Sequence, residues 1–210
     1  YGLFGGSKLI QEGVLSERFY LAGSLICFGI ALLCVVVLSV VLQSVSVLGY
    51  CAVILFFGFS YSHKPLQLSY RRLGEPALFL LFGPALVMGG YFLQTKVFPD
   101  TRAFFLSLPF GFFTTAILFA NEVPDYVQDK DAGKYTWVSL VGIRKAYILY
   151  VCLVALGFLP IAVNIAFGYL SFVSALAFIF LVLALKAARL LKDHSCDKVK
   201  LLLSSQLTIR

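Results

Sequence analysis

The chain has 210 residues, 60% of them hydrophobic and only 13% charged, with 17 Lys and Arg against 10 Asp and Glu for a formal net charge of +7. A soluble domain carries about 45–50% apolar and about 25% charged residues, so these side chains cannot clothe a water-facing surface. An ordinary soluble domain, a disordered tail and a secreted disulfide scaffold are all excluded, and lipid is the solvent for most of the protein.

Crossing a bilayer takes about 20 consecutive, mostly apolar residues in a helix. Such runs lie near residues 19–42, 46–61, 76–95, 103–122, 146–168 and 170–191, and a seventh begins near Leu201. The second is short, which suits a broken or tilted span. Apolar residues run continuously rather than alternating, which excludes a membrane β-barrel. Each span must be helical so that its backbone groups are satisfied within the segment. The expected fold is all-α, a multi-span transmembrane helix bundle, with residues 1–210 forming one domain. The five cysteines (Cys27, Cys34, Cys51, Cys152 and Cys196) have neither a CxxC nor a metal-ligand spacing and read as small packing residues.

The basic residues sort by side. Alternate connections place Lys8, Arg18, Lys64, Arg71, Arg72, Lys130, Lys134, Arg144, Lys145, Lys186, Arg189, Lys192, Lys198 and Lys200 on one face, and only Lys96 and Arg102 on the other. By the positive-inside rule the rich face is cytoplasmic. The +7 is then topology rather than a nucleic-acid footprint. The same face carries the long polar connections, near 1–18, 62–75, 121–145 and 192–200, where chemistry is expected.

The acids concentrate in one of them. Glu122, Asp125, Asp129 and Asp131 fall within NEVPDYVQDKDAGK at 121–134. In a helix Asn121, Asp125 and Asp129 share a face, and like charges at that spacing repel, so a cation is expected among them. Mg²⁺ suits an all-oxygen set of two carboxylates and an amide, and typically completes its shell with water and phosphate oxygens. Lys130 and Lys134 alongside suit a polyanion better than a bare metal. A solvated loop whose charges neutralise one another has the same spacing. Pro124 lacks an amide hydrogen and is expected to start a fresh helical turn, tipping Asp125 and Asp129 towards a cavity. Elsewhere, YSHKPLQLSYRRLGE at 61–75 carries Lys64, Arg71 and Arg72 with Tyr61, and GGSKLIQEG at 5–13 presents Lys8 after two glycines. Such cations hold phosphates, although each also belongs to the positive-inside signal. His63 reads as a surface residue.

Together these segments resemble the UbiA family of intramembrane aromatic prenyltransferases. NEVPDYVQDKDAGKYTWVSLVG at 121–142 resembles the family's second aspartate-rich motif, N-x-x-x-D-x-x-x-D followed by G-K-x-T and a later Gly. The 61–75 segment resembles the loop after the fourth helix, and FGGSKLIQEGVLS at 4–16 the stretch entering the third. The latter, with the Pro-Asp of the motif, leans towards the branch that prenylates dihydroxynaphthoate on the way to menaquinone. The resemblance implies a Mg²⁺-dependent transfer of a polyprenyl group from its diphosphate to an aromatic acceptor. Asn121, Asp125 and Asp129 would hold metal and diphosphate; Lys8, Lys64, Arg71, Arg72, Lys130 and Lys134 would bind phosphate; Tyr61 would orient the acceptor or face the allylic cation.

The family's earlier aspartate-rich motif is missing, since no acid precedes Glu12. On this reading the chain is truncated at both ends, its six spans are the third to eighth of nine, and it is inactive alone. Other acceptors (4-hydroxybenzoate, haem, chlorophyllide or a glyceryl phosphate ether) fit the same residues. A transporter would need ionisable groups at bilayer depth, whereas Glu122, Lys186 and Arg189 lie near span ends. A non-catalytic membrane scaffold would make the acid spacing accidental. The sequence leaves oligomeric state unspecified.

Overall fold

The computed structural model describes residues 9–10, 13–195 and 197–209. The expected runs are all helical, and no β-strand occurs among the described residues. Five helical stretches are long and apolar enough to cross a membrane: Glu17–Val41, Gly74–Thr95, Thr101–Asp131, Ile143–Ala166 and Phe172–Asp193. The second expected span is a shorter apolar helix, Ser46–Ser62. The run at Leu201 is a 12-residue helix.

The chain divides into two compact units, 1–55 and 56–210. In the first, α1 (Glu17–Val41) begins at Ser16, whose hydroxyl accepts the Phe19 amide at 3.2 Å, a standard N-cap. Its large side chains are open on every side, Leu21, Ile26, Leu33 and Val40 being 60–71% exposed. Such a surface is stable only against hydrocarbon. The helix ends at a polar turn where Gln43 takes a positive φ of 49°, and the Ser39 hydroxyl donates to the Ser44 carbonyl. There α2 (Ser46–Ser62) starts, to finish in the second unit.

The second unit is built on one long helix, α5 (Thr101–Asp131), 31 residues or about 46 Å. It packs against α3 (Gly74–Leu80), α4 (Leu86–Thr95), α6 (Trp137–Val141), α7 (Ala146–Ala166) and α9 (Lys198–Ile209). A π-turn over Leu81–Ala85 joins α3 to α4 around Pro84, whose missing amide hydrogen accounts for the irregularity. Close approaches rest on glycine. A Cβ on Gly83 would lie 2.9 Å from Gly111 Cα, and one on Gly157 would lie 2.5 Å from the Phe113 ring. Small residues let helices meet backbone to backbone where lipid offers no hydrophobic drive. A 3₁₀ segment, Phe172–Phe180, leads into α8 (Leu181–Asp193), which packs on α7 and α9. The core gathers Phe119, Val123, Val138, Tyr150, Leu153 and Leu191.

Two prolines interrupt the hydrogen-bond ladder of α5, and neither breaks it. Pro109 leaves the Phe105 carbonyl without its amide, and Asn164 Nδ2 on α7 donates to it at 2.9 Å. Pro124 leaves the Ala120 carbonyl, and the Ser205 hydroxyl on α9 donates to it at 2.6 Å. The expectation of a fresh helical turn at Pro124 is therefore corrected: α5 continues to Asp131 because a neighbouring helix replaces the lost donor. Asn164 is fully buried and also donates to Pro160 O at 2.7 Å.

Replacing Asn164 by Leu strands the Phe105 carbonyl and is expected to cost about 1–3 kcal/mol, read as a lower thermal midpoint in detergent. Gly157→Leu should overpack the Phe113 contact and cost about 1–3 kcal/mol. Gly23→Leu, at a site with open space around it, should leave the same midpoint unchanged.

Candidate functional site

The last turns of α5 carry Asn121, Asp125 and Asp129 on one face, as their four-residue spacing requires. Their surroundings differ. Asn121 Oδ1 is buried without a hydrogen-bond partner. Asp125, half exposed, pairs with Lys198 Nζ of α9 at 3.4 Å. Asp129 is mostly covered and accepts from Lys134 Nζ at 2.9 Å. These are hard oxygen donors, one of them vacant of partners, and the Asp125 contact is an exposed ion pair of little strength. They fit an ion such as Mg²⁺, which takes one or two protein carboxylates. Among the described residues no three Asp, Glu, His or Cys side chains converge to enclose a metal by themselves.

Beyond Asp131 the chain turns at Gly133, whose φ of 71° suits glycine, and the Lys134 amide bonds back to Asp129 O at 2.8 Å. The turn returns Lys134 over the acids, its ammonium lying between Asp129 and Glu122 Oε1 at 3.8 Å. Burial alone would lower the Lys134 pKa, but the Asp129 hydrogen bond and the charges of Glu122, Asp129 and Glu75 outweigh it and hold the group above the usual lysine value. The later motif glycine, Gly142, also has a positive φ, 77°, where α6 ends.

The 61–75 loop docks onto this turn. Arg72 N donates to Tyr135 O at 2.8 Å, Tyr135 N to Tyr70 O at 3.1 Å, and Trp137 Nε1 to Arg72 O at 3.1 Å. The Arg72 side chain reaches Ser139 Oγ at 3.4 Å and stacks over the Tyr135 ring at 5.5 Å, a cation–π contact. Glu75 Oε1 accepts the Trp137 amide. Tyr61 is fastened behind by the Ser69 hydroxyl, which donates to its carbonyl at 2.7 Å. Its own hydroxyl lies within electrostatic reach of Glu122, Glu75 and Asp129.

Of the sequence-derived candidates, then, Asn121, Asp125, Asp129, Lys134 and Tyr61 lie about one end of α5, with Arg72 in the loop docked there. Arg71 turns away, its Nη2 donating to Pro65 O at 2.9 Å. Lys64 and Lys130 are exposed and form no ion pair among the described residues. Lys8 lies outside the described residues. Glu75 and Glu122 were not expected at the site, yet they are 1% and 4% exposed. The available signal was an acid at the very edge of an apolar span in a charge-poor chain, a position that calls for a buried partner. Of the phenylalanines in these spans, Phe82 and Phe110 are exposed, Phe79 stacks on Phe112, and Phe113 packs into Gly157. A separate apolar cavity of about 250 Å³, lined by Phe113, Tyr150, Val154, Phe158 and Leu207 among others, has no charged side chain in its lining.

Comparison with known proteins completes this picture. The profile of the UbiA prenyltransferase family matches residues 8–206. The chain is 32% identical over 125 residues to UbiA prenyltransferase domain-containing protein 1 of Dictyostelium discoideum, covering 60% of this chain and 37% of that protein. It is 30% identical over 165 residues to the Homo sapiens protein of the same description, covering 74% and 48%. It is 29% identical over 133 residues to the 1,4-dihydroxy-2-naphthoate octaprenyltransferase of Haemophilus influenzae, covering 62% and 42%. The chain thus spans less than half the length of these curated relatives. No solved structure matches it significantly. A profile match over nearly the whole chain, with its aspartate ladder intact on α5, makes this an integral membrane protein of the UbiA prenyltransferase family.

Proposed function

We propose that these residues form the second-motif half of an enzyme that transfers a polyprenyl group from its diphosphate to an aromatic acceptor, releasing pyrophosphate. The family supports prenyl transfer in general. The relative described as a 1,4-dihydroxy-2-naphthoate octaprenyltransferase favours a dihydroxynaphthoate-like acceptor over the alternatives. One observation carries the site: Asn121, Asp125 and Asp129 stand on one helical face with the Asn121 oxygen unpartnered and Lys134 folded over Asp129. Other hypotheses make less of it. A bare cation path has no use for a lysine held there, and a scaffold leaves the shared face of Asn121, Asp125 and Asp129 accidental.

In this mechanism Mg²⁺, held by Asn121 Oδ1, Asp125 and Asp129, would neutralise charge growing on the departing pyrophosphate. Lys134 adds a fixed positive charge on the same side, and Arg72, anchored by Ser139 and Tyr135, adds a second nearby. The allylic C–O bond breaks with both electrons leaving on the pyrophosphate oxygen. The aromatic ring carbon then supplies the pair for the new C–C bond, and the ring loses a proton. Tyr61, with its ring near the acids, orients the acceptor or faces the allylic cation. Serine, cysteine and histidine nucleophiles have no part in it. The acids belong to the cytoplasmic side by the bias of basic residues.

Asp125→Ala and Asp129→Ala, assayed in the whole protein in membranes with Mg²⁺, a labelled polyprenyl diphosphate and a panel of aromatic acceptors, should each lower transfer by about 100-fold or more. Pyrophosphate release that survives both changes would sink the mechanism. Sidedness has its own check. In a cysteine-free background in intact cells, an impermeant maleimide should label Lys96→Cys at once and Lys130→Cys only after permeabilisation. The reverse pattern would invert the topology.

A further inference from the structure

Glu75 and Glu122 stand outside the Asn121–Asp125–Asp129 ladder, yet they are the most deeply covered acids described. Moving a carboxylate out of water costs several kcal/mol unless partners compensate, so the contacts of this pair indicate what it secures. Glu75, in the first turn of α3, accepts the amide of Trp137, 62 residues away. Trp137 is the first residue of α6, where amides lack partners within the helix, and Thr136 at the cap supplies no side-chain bond. A distant carboxylate thus caps α6. Glu122 lies within electrostatic reach of Glu75, its Oε2 is buried without a hydrogen-bond partner, and its Oε1 faces Lys134 Nζ at 3.8 Å. Two carboxyl groups this close repel when both are charged, and Lys134 supplies the compensating cation.

A free lysine spreads its ammonium over many rotamers, and ordering it around a ligand costs conformational entropy. Here the backbone three residues after Lys134 is pinned by Glu75, while its ammonium is drawn inward by Glu122 and held at 2.9 Å from Asp129. We propose that Glu75 and Glu122 are positioning residues that fix Lys134 beside Asp129, so that its ammonium meets the diphosphate of the prenyl donor already in place. This rests on the diphosphate-binding reading of Asp129 and Lys134 given above. Neither glutamate touches the substrate; both act through Lys134.

The test uses the whole protein in membranes. With any tryptophan outside these 210 residues replaced by phenylalanine, emission from Trp137 reports the docked turn directly. Reaction of Lys134 with an amine-acylating reagent, followed by mass spectrometry, reports whether its ammonium is held. In Glu75→Ala the emission should shift to the red and Lys134 should label several times faster. The KM for a labelled polyprenyl diphosphate should rise about tenfold, with little further change on adding Lys134→Ala, as expected of coupled residues. Glu75→Gln keeps an acceptor for the Trp137 amide and should stay within about twofold of wild type in all three readouts. Unchanged Lys134 labelling in Glu75→Ala overturns the positioning role whatever the activity does. Faster labelling alongside a Lys134→Ala that leaves the diphosphate kinetics untouched overturns instead the diphosphate reading on which the proposal rests. Should Glu75→Ala fail to fold, Glu122→Ala serves. It should speed Lys134 labelling without moving the Trp137 emission, and equal labelling would again refute the positioning role.

Discussion

The ammonium of Lys134, lodged between Asp129 and Glu122, ties together more of this protein than any other single group. Burial pulls the Lys134 pKa down, and the Asp129 hydrogen bond with the charges of Glu122, Asp129 and Glu75 more than offsets it. That hydrogen bond fixes the turn after α5, because Lys134 reaches Asp129 only when Gly133 takes its left-handed conformation. The turn in turn needs a surface to rest on, and Tyr70, Arg72 and Glu75 provide it through hydrogen bonds to Tyr135 and Trp137. The start of α3 and the end of α5 are thereby fastened at the end of the unit where the acids stand.

A second constraint acts along the backbone. Within hydrocarbon no water replaces a missing amide donor, and α5 contains two prolines. Asn164 from α7 fills one gap and Ser205 from α9 the other. Both donors come from helices that also pack on α5, so packing and hydrogen-bond satisfaction support each other. The Ser205 bond has a consequence for the site. By keeping α5 helical through Pro124, it lets Asn121, on the near side of the proline, stay in register with Asp125 and Asp129 beyond it.

Much of the site was legible because it is local. The four-residue spacing of Asn121, Asp125 and Asp129 places them on one face of any helix, whatever surrounds it. The G-K-x-T motif and Gly142 marked turns, and both Gly133 and Gly142 have positive φ. The basic residues were far less legible. Charge and position alone gave Lys130 the same standing as Lys134, but one points into solvent while the turn carries the other back over the acids. Arg71 and Arg72 are adjacent in sequence, yet one is spent on Pro65 O and the other faces Ser139 and Tyr135.

By itself the sequence determined the all-α architecture, the position of the apolar helices, the family and the shared face of the acids. Each depends on hydropathy, periodicity or a short motif, which are properties of residues near one another in the chain. Tertiary structure alone decided which charges are buried and what answers them. Trp137 meets Glu75 across 62 residues and Ser205 meets Ala120 across 85. Lys198 of α9 meets Asp125 of α5 in the same way. The physical reason is the solvent. Where water is absent a polar group must be paired, and in a helix bundle the available partner usually stands on another helix, at a sequence distance no local pattern encodes.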